Sequence, residues 1–186
     1  MIVTVSGLHG TGKSTYAARL AKALGLRHVS AGVLFRKIAR EKQMSLEELG
    51  RVALTDASID RLIDERTIRE AKTGNVVVDG QLAGWMLKNR ADLRIYLTAP
   101  ESVRLERIAA RDKVALRVAQ SQTRQRESVQ RERYLHHYGF HVDDLSIYQL
   151  VLDTSLGSIK DIERVLADTA VMVKKTVKRR ARATKP

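Results

Sequence analysis

The sequence predicts an α/β fold in which a five-stranded parallel sheet is flanked by helices. Short β-branched or apolar runs alternate with helical stretches along the chain, the rhythm of βαβ units. A glycine-rich turn joins the first run to the first helical stretch. The 186 residues are 44% apolar and 30% charged, a balance that suits one globular domain with its own core.

Ile2 to Ser6 is a β-branched run and reads as a buried strand. Lys13 to Leu24 is helical, with Gly25 at the C-cap. Arg27 to Ser30 is the second strand, and Val33 to about Lys42 is helical again. Ser45-Leu46-Glu47-Glu48 fits a capping box and starts a new helix. Asp56 is expected to N-cap a helix through Ala71 that ends at Gly74. Val76-Val77-Val78 is the third strand and runs into Asp79-Gly80. Leu93 to Leu97 is the fourth, and Pro100 takes the first position of a helix to about Arg111. Val114 to Tyr138 is polar, charged and helical, and stops at Gly139, so segment 112–141 reads as an insertion over the surface. Leu150-Val151-Leu152 is the fifth strand. Ser158 with Asp161 caps a last helix that is expected to fade into a basic tail.

Lys and Arg outnumber Asp and Glu by 34 to 21, for a net charge of +13. A basic body suits a phosphate-rich substrate. Lys174, Lys175, Lys178, Arg179, Arg180, Arg182 and Lys185 fall in a tail, 174–186, that holds no acid. Such a tail is expected to be a solvated arm, with weak non-specific nucleic-acid contact as its alternative use. The absence of cysteine excludes disulfides, thiolate zinc sites and a cysteine nucleophile. No apolar run approaches the ~20 residues of a membrane span. Met1 to Val5 lacks the basic region of a signal peptide, so a cytoplasmic protein is expected; a monomer without membrane contact is expected as well.

Gly7-Leu8-His9-Gly10-Thr11-Gly12-Lys13-Ser14 matches the phosphate-loop pattern G-x-x-x-x-G-K-[ST] in full, between a strand and a helix. Backbone N–H groups of such a turn cradle phosphate, and the helix start offers its positive end to the anion. Lys13 is expected to reach the β- and γ-phosphates, and the Ser14 hydroxyl to ligate Mg²⁺. His9 has no evident role and is expected to face solvent as a neutral ring. These features predict a P-loop NTPase fold over residues 1–173. No guanine-reading Asn-Lys-x-Asp pattern accompanies the loop.

Two further segments suit a second ligand. Gly32 in Ser30-Ala31-Gly32 admits a close approach to the backbone, and Arg36 offers a bidentate donor for a second phosphate. Asp79, at the end of three apolar residues, resembles a Walker B carboxylate that holds Mg²⁺ through water. Trp85 reads as a core or pocket-wall residue. In 112–141, Arg117, Arg124 and Arg131 recur every seven residues, and Arg126 and Arg133 share another stripe. Arginines that close over a transferring phosphoryl group stabilise its charge. Glu127 and Arg131 are spaced as an i,i+4 ion pair. His136, His137 and His141 lack an accompanying carboxylate motif, and no metal site is expected there.

The combination resembles the archaeal-type cytidylate kinases, a nucleoside monophosphate kinase family. It rests on Gly7 to Thr15, Ser30 to Arg36, Asp79 to Trp85, Arg126-Glu127 and Arg131-Glu132-Arg133-Tyr134. Tyr138-Gly139, Asp144 to Tyr148 and Asp153-Thr154-Ser155 complete it, in order, over about residues 1–170. The resemblance implies ATP-dependent phosphorylation of CMP and dCMP, with Mg²⁺. It implies a nucleoside-monophosphate (NMP)-binding helical segment at about 31–74 and a small helical lid at about 112–141. ATP is placed on Gly7, Leu8, His9, Gly10, Thr11, Gly12, Lys13, Ser14 and Thr15. CMP is placed on Ser30, Gly32, Arg36, Asp79, Gly80, Gln81 and Gly84, with catalysis by Lys13, Arg126, Arg131 and Arg133. One departure is Gln81, where arginine is common in the family. A kinase for another nucleoside monophosphate or a small hydroxylated acceptor such as shikimate is the nearest alternative. A nucleotide-dependent RNA-associated protein using the basic tail is the other.

Overall fold

In the computed structural model, which describes residues 1–183, five strands pair in parallel. They are β1 (Ile2–Gly7), β2 (Arg27–Ser30), β3 (Val76–Asp79), β4 (Leu93–Thr98) and β5 (Leu150–Asp153), in the order β2-β3-β1-β4-β5. The helices are α1 (Lys13–Leu24), α2 (Ala31–Glu41), α3 (Leu46–Thr55), α4 (Ser58–Lys72), α5 (Ala83–Met86), α6 (Glu101–Asp112), α7 (Leu116–Tyr138) and α8 (Ile159–Ala183). Because β1 has β3 on one side and β4 on the other, a crevice opens beyond its carboxyl end. The register sets Asp79 level with Val5 of β1 and with Ser30 of β2, at the rim of that crevice.

Both faces of the sheet are covered, which is why its strands are continuously apolar. Val77 joins Val3, Val5, Ile95 and Leu97 on the face packed by Ala17 and Leu20 of α1 and by Ile162 and Leu166 of α8. Val76 and Val78 point the other way, onto Ala71, Ala83 and Leu87. Each Val or Leu buried in this way stabilises the fold by about 1.5–3 kcal/mol. A second, smaller core of Ala39, Leu49, Ala53, Ile59 and Ile63 binds α2, α3 and α4 together beside the sheet.

Several boundaries differ from expectation for local reasons. α2 starts at Ala31 rather than Val33, because Ser30 accepts the Val33 N–H and caps it. The Ser45 capping box is present. Asp56 ends α3 and accepts the Ser58 N–H, so α4 begins at Ser58, after the turn. Pro100 is the N-cap of α6 rather than its first residue. Lys113, at φ 56, breaks the chain between α6 and α7. α7 packs against α6 and α3, with Ala119, Thr123, Arg133 and Tyr134 buried. α8 does not fade at Val173 but continues to Ala183, consistent with the helix preference of Lys, Arg and Ala. The last three residues of the tail, 184–186, lie outside the described residues. Among the described residues no helix is long and apolar enough to cross a membrane.

Candidate active site

The turn after β1 carries three glycines at positive φ, as a phosphate cradle requires. A Cβ on Gly10 would lie 2.5 Å from the Arg104 carbonyl oxygen, so the turn is pressed against α6. Gly12, at φ 86, is the N-cap of α1 and aims the helix N-terminus at the turn. Thr11 Oγ1 and Lys13 Nζ both donate to the Leu8 carbonyl, at 2.9 and 2.8 Å. Burial lowers the pKa of Lys13 to about 8, against the carboxylates of Asp79 and Glu127, which raise it.

Asp79 is 2% exposed and has three donors. Ser14 Oγ donates to it at 2.8 Å and Ser30 Oγ at 3.2 Å, and His28 Nε2 donates at 2.6 Å. Strand alternation explains the cluster, since His28 and Ser30 share a face of β2 and the register places Asp79 beside them. His28 was missed by the sequence reading, although a His two residues before Ser30 is the available signal. The Ser14 hydroxyl and the Asp79 carboxylate are hard oxygen donors at the cavity wall, and this donor set suits Mg²⁺.

One cavity of about 1100 Å³ joins the loop to the segment beyond β2. His9, Gly10, Gly12, Lys13, Ser14 and Thr15 of the loop line it, together with Gly32, Arg36, Asp79, Gly80 and Gln81. Other expected site residues lie behind this wall. Gly7 and Thr11 are buried in the loop, Leu8 offers it a carbonyl, and Ser30 sits behind Asp79. Gly84 packs against Tyr148, where a Cβ would come within 2.4 Å of the ring, and its N–H donates to Ser6 Oγ. Trp85 stacks on Phe140 at 4.8 Å.

Of the three arginines expected over the phosphates, α7 brings Arg126 to the cavity, together with Gln122 and Gln130. Burial, with Arg111 nearby, lowers the pKa of Arg126. Arg131 is turned about 140° away around the helix, and its guanidinium lies 3.5 Å from Asp143 on the surface. Arg133 shares the stripe of Arg126 but lies about 10 Å further along the axis. There it is buried 3.0 Å from Asp60, with the rings of Phe35 and Tyr134 against its guanidinium. Arg124 is exposed and pairs with Glu101, and Arg117 is exposed.

Two expectations near the loop are corrected. His9 does not face solvent, because its Nε2 lies 2.8 Å from Gln130 Oε1 under α7. Burial lowers its pKa to about 3, helped by Lys13 and Arg126, so the ring is neutral. Glu127 does not pair with Arg131. It pairs with Arg104 of α6 at 2.7 Å, a partner 23 residues away that local spacing does not reveal. Arg107 and Arg111 of α6 also line the cavity, and Arg107 donates to Thr154. The sequence reading missed all three α6 arginines, although 104, 107 and 111 share a helix face. His137 donates to the Ala53 carbonyl, and His136 and His141 are exposed.

A phosphate loop on the central strand, a carboxylate at the adjoining strand end and a cavity extending past both define a P-loop phosphotransferase. Solved structures agree on the fold. Shikimate kinase from Bacteroides thetaiotaomicron superposes with a TM-score of 0.62 at 16% identity, over 94% of this chain and 98% of that one. Sequence comparison is narrower. The cytidylate kinase-like family matches residues 2–156, and the chain belongs to that family. The cytidylate kinase of Staphylothermus marinus is 45% identical over 90% of this chain and 95% of its own. That of Pyrococcus horikoshii is 49% identical over 85% and 82%. That of Methanocaldococcus jannaschii is 42% identical over 94% and 100%.

Proposed function

We propose that the protein transfers the γ-phosphoryl group of ATP to CMP and dCMP, forming CDP and dCDP. The observation that carries this reading is that the phosphate loop lines one cavity together with Arg36 and Gln81. Donor and acceptor held in one cavity would meet without a relay through the protein, so transfer is direct and uses no covalent intermediate. ATP occupies the Gly7–Thr15 loop, and Lys13 holds the transferring group. Mg²⁺, when bound, would be held by Ser14 and Asp79 and would supply neutralisation of the phosphate charge. Asp79 is engaged by Ser14, Ser30 and His28, so it positions rather than abstracts a proton. Arg126 closes over the phosphoryl group from α7, with Arg107 and Arg111 on the donor side. Catalysis then consists of positioning and charge stabilisation. In this reading 31–74 binds the acceptor, 112–141 is the lid, and the kinase domain spans 1–173. A panel of CMP, dCMP, UMP, AMP, GMP and shikimate with ATP tests it. CMP and dCMP should give the highest kcat/KM, whereas a higher value for AMP or shikimate would refute the acceptor assignment.

A further inference from the structure

The cavity does not end at Arg36 and Gln81. It continues between α4 and α7, where Asp60, Ile63, Asp64 and Thr67 line it from one side and Tyr134 and Tyr138 from the other. Spacings of three and four put these α4 residues on one helix face, and Tyr134 and Tyr138 are likewise one turn apart on α7. Four polar atoms here are buried without a hydrogen-bond partner, Nε and Nη1 of Arg133 among them. Thr67, 3% exposed, has an unpartnered Oγ1. Asp60, 5% exposed, has an unpartnered Oδ2, which lies 3.0 Å from Arg133 Nε at an angle that makes no hydrogen bond. Buried polar groups are ordinarily satisfied; here Asp60 is held by its ion pair with Arg133, while Thr67 leaves a hydroxyl unused on the α4 face that lines the cavity. Asp64, alongside, accepts the Tyr138 hydroxyl on Oδ2. That bond fixes its carboxyl on the cavity wall.

The chemistry of the lining narrows the ligand. On α4 its polar groups are two carboxylates and a hydroxyl that accepts as well as donates, Asp60 being paired with Arg133 and Asp64 taking the Tyr138 hydroxyl on one oxygen only. Ile63 and the tyrosine rings give apolar walls suited to a flat ring. Burial pushes the Asp64 carboxyl up to about 6, and the hydrogen bond from Tyr138 opposes that rise. An exocyclic amine presents two N–H donors to such an edge. A ring carbonyl in the same place would set oxygen against oxygen.

We propose that the α4 face formed by Asp60, Asp64 and Thr67 is the base-reading edge of the acceptor site, selecting an aminopyrimidine over an oxopyrimidine. It rests on the kinase reading above and names the groups that read the base. Asp64 and Thr67 contact the amine, and Tyr138 is a positioning residue that acts through Asp64.

The test compares kcat/KM for CMP and UMP, with ATP saturating, in the wild type and in Asp64→Asn, Thr67→Val and Tyr138→Phe. In Asp64→Asn the Tyr138 hydroxyl takes the carboxamide oxygen and leaves the amide N–H₂ toward the base. That donor suits a uracil carbonyl and opposes a cytosine amine. The CMP-to-UMP ratio should therefore fall about 10- to 100-fold, the size expected when a charged hydrogen bond is lost. Thr67→Val and Tyr138→Phe should lower the ratio in the same direction, while KM for ATP stays the same. Calorimetric binding of ribose 5-phosphate, which has the phosphate and no base, should be unchanged in all three. An unchanged CMP-to-UMP ratio in folded Asp64→Asn and Thr67→Val overturns the inference and leaves the kinase reading standing. Parallel losses for CMP, UMP and ribose 5-phosphate overturn it too, by showing a structural role. Failure of the wild type to phosphorylate CMP overturns the kinase reading and the inference with it.

Discussion

Arg104 and Glu127 form an ion pair at 2.7 Å, 7% and 14% exposed, and together they grip the backbone of one residue of the phosphate loop, His9. Arg104 donates to the His9 carbonyl at 2.8 Å, and Glu127 accepts the His9 N–H at 3.3 Å. Arg104 belongs to α6 and Glu127 to α7, so the helix that carries Arg126 is tied to the backbone of the loop it covers.

Removing one partner leaves the other charge buried and uncompensated. Glu127→Ala should destabilise the protein by about 3–5 kcal/mol, the usual cost of breaking a buried pair. Urea unfolding at neutral pH measures it. A loss below about 1 kcal/mol would class the pair with exposed salt bridges instead.

Lys13 gives a pH dependence with a defined sign. Its pKa is lowered to about 8 from an ordinary 10.5, chiefly by burial. The unfolded chain therefore binds more protons between those values. The destabilisation from burying the charge is complete below pH 8 and is relieved as pH rises toward 10.5. Nucleotide phosphates beside Nζ favour the charged form, so ATP binding at pH 9 should draw in protons that Lys13→Met does not draw. Calorimetry in buffers of different ionisation heat reads the uptake. Equal uptake by wild type and variant would take Lys13 away from the phosphates.

The phosphate loop and Asp79 were legible because their work is done within a few consecutive residues, next to a strand whose apolar pattern is unambiguous. The arginine stripe on α7 was legible too, but periodicity gives an angle around a helix and not a neighbour. Arg126 and Arg133 share a stripe, yet the cavity meets the first and Asp60 meets the second. Arg104 with Glu127 and His28 with Asp79 are long-range pairs with no local signature. α5 has only four residues and contains Gly84, too little periodicity to register.

Arg36 and Gln81 are the residues proposed above for the acceptor phosphate. Both line the cavity, and Gln81 Oε1 is buried without a hydrogen-bond partner. Arg36→Ala should raise KM for CMP by about tenfold or more, since it removes a charged bidentate donor. Gln81→Arg should leave KM unchanged or lower it. Steady-state kinetics at saturating ATP decides, and an unaltered KM in Arg36→Ala would remove that residue from the site.

The tail is expected to be separable from the catalytic body. In α8, Ile162, Leu166 and Ala170 are buried against the sheet, whereas Lys175, Thr176 and Val177 are exposed. A chain ending at Val173 should keep its melting temperature and its kcat/KM for CMP within about twofold. It should lose most of its salt-sensitive affinity for RNA or DNA, because that affinity comes from charge. Reduced kinase activity with unchanged polyanion binding would mean that the last turns of α8 serve the fold.

The central claim is that donor and acceptor occupy one cavity and exchange phosphate directly. An inhibitor that joins adenosine and cytidine through five bridging phosphates spans both halves, so its inhibition pattern is the most direct test. It should compete with ATP and also with CMP, binding more tightly than either, because one molecule gains both sets of contacts. Competition with only one of the two substrates would contradict the shared cavity and, with it, direct transfer from ATP to CMP.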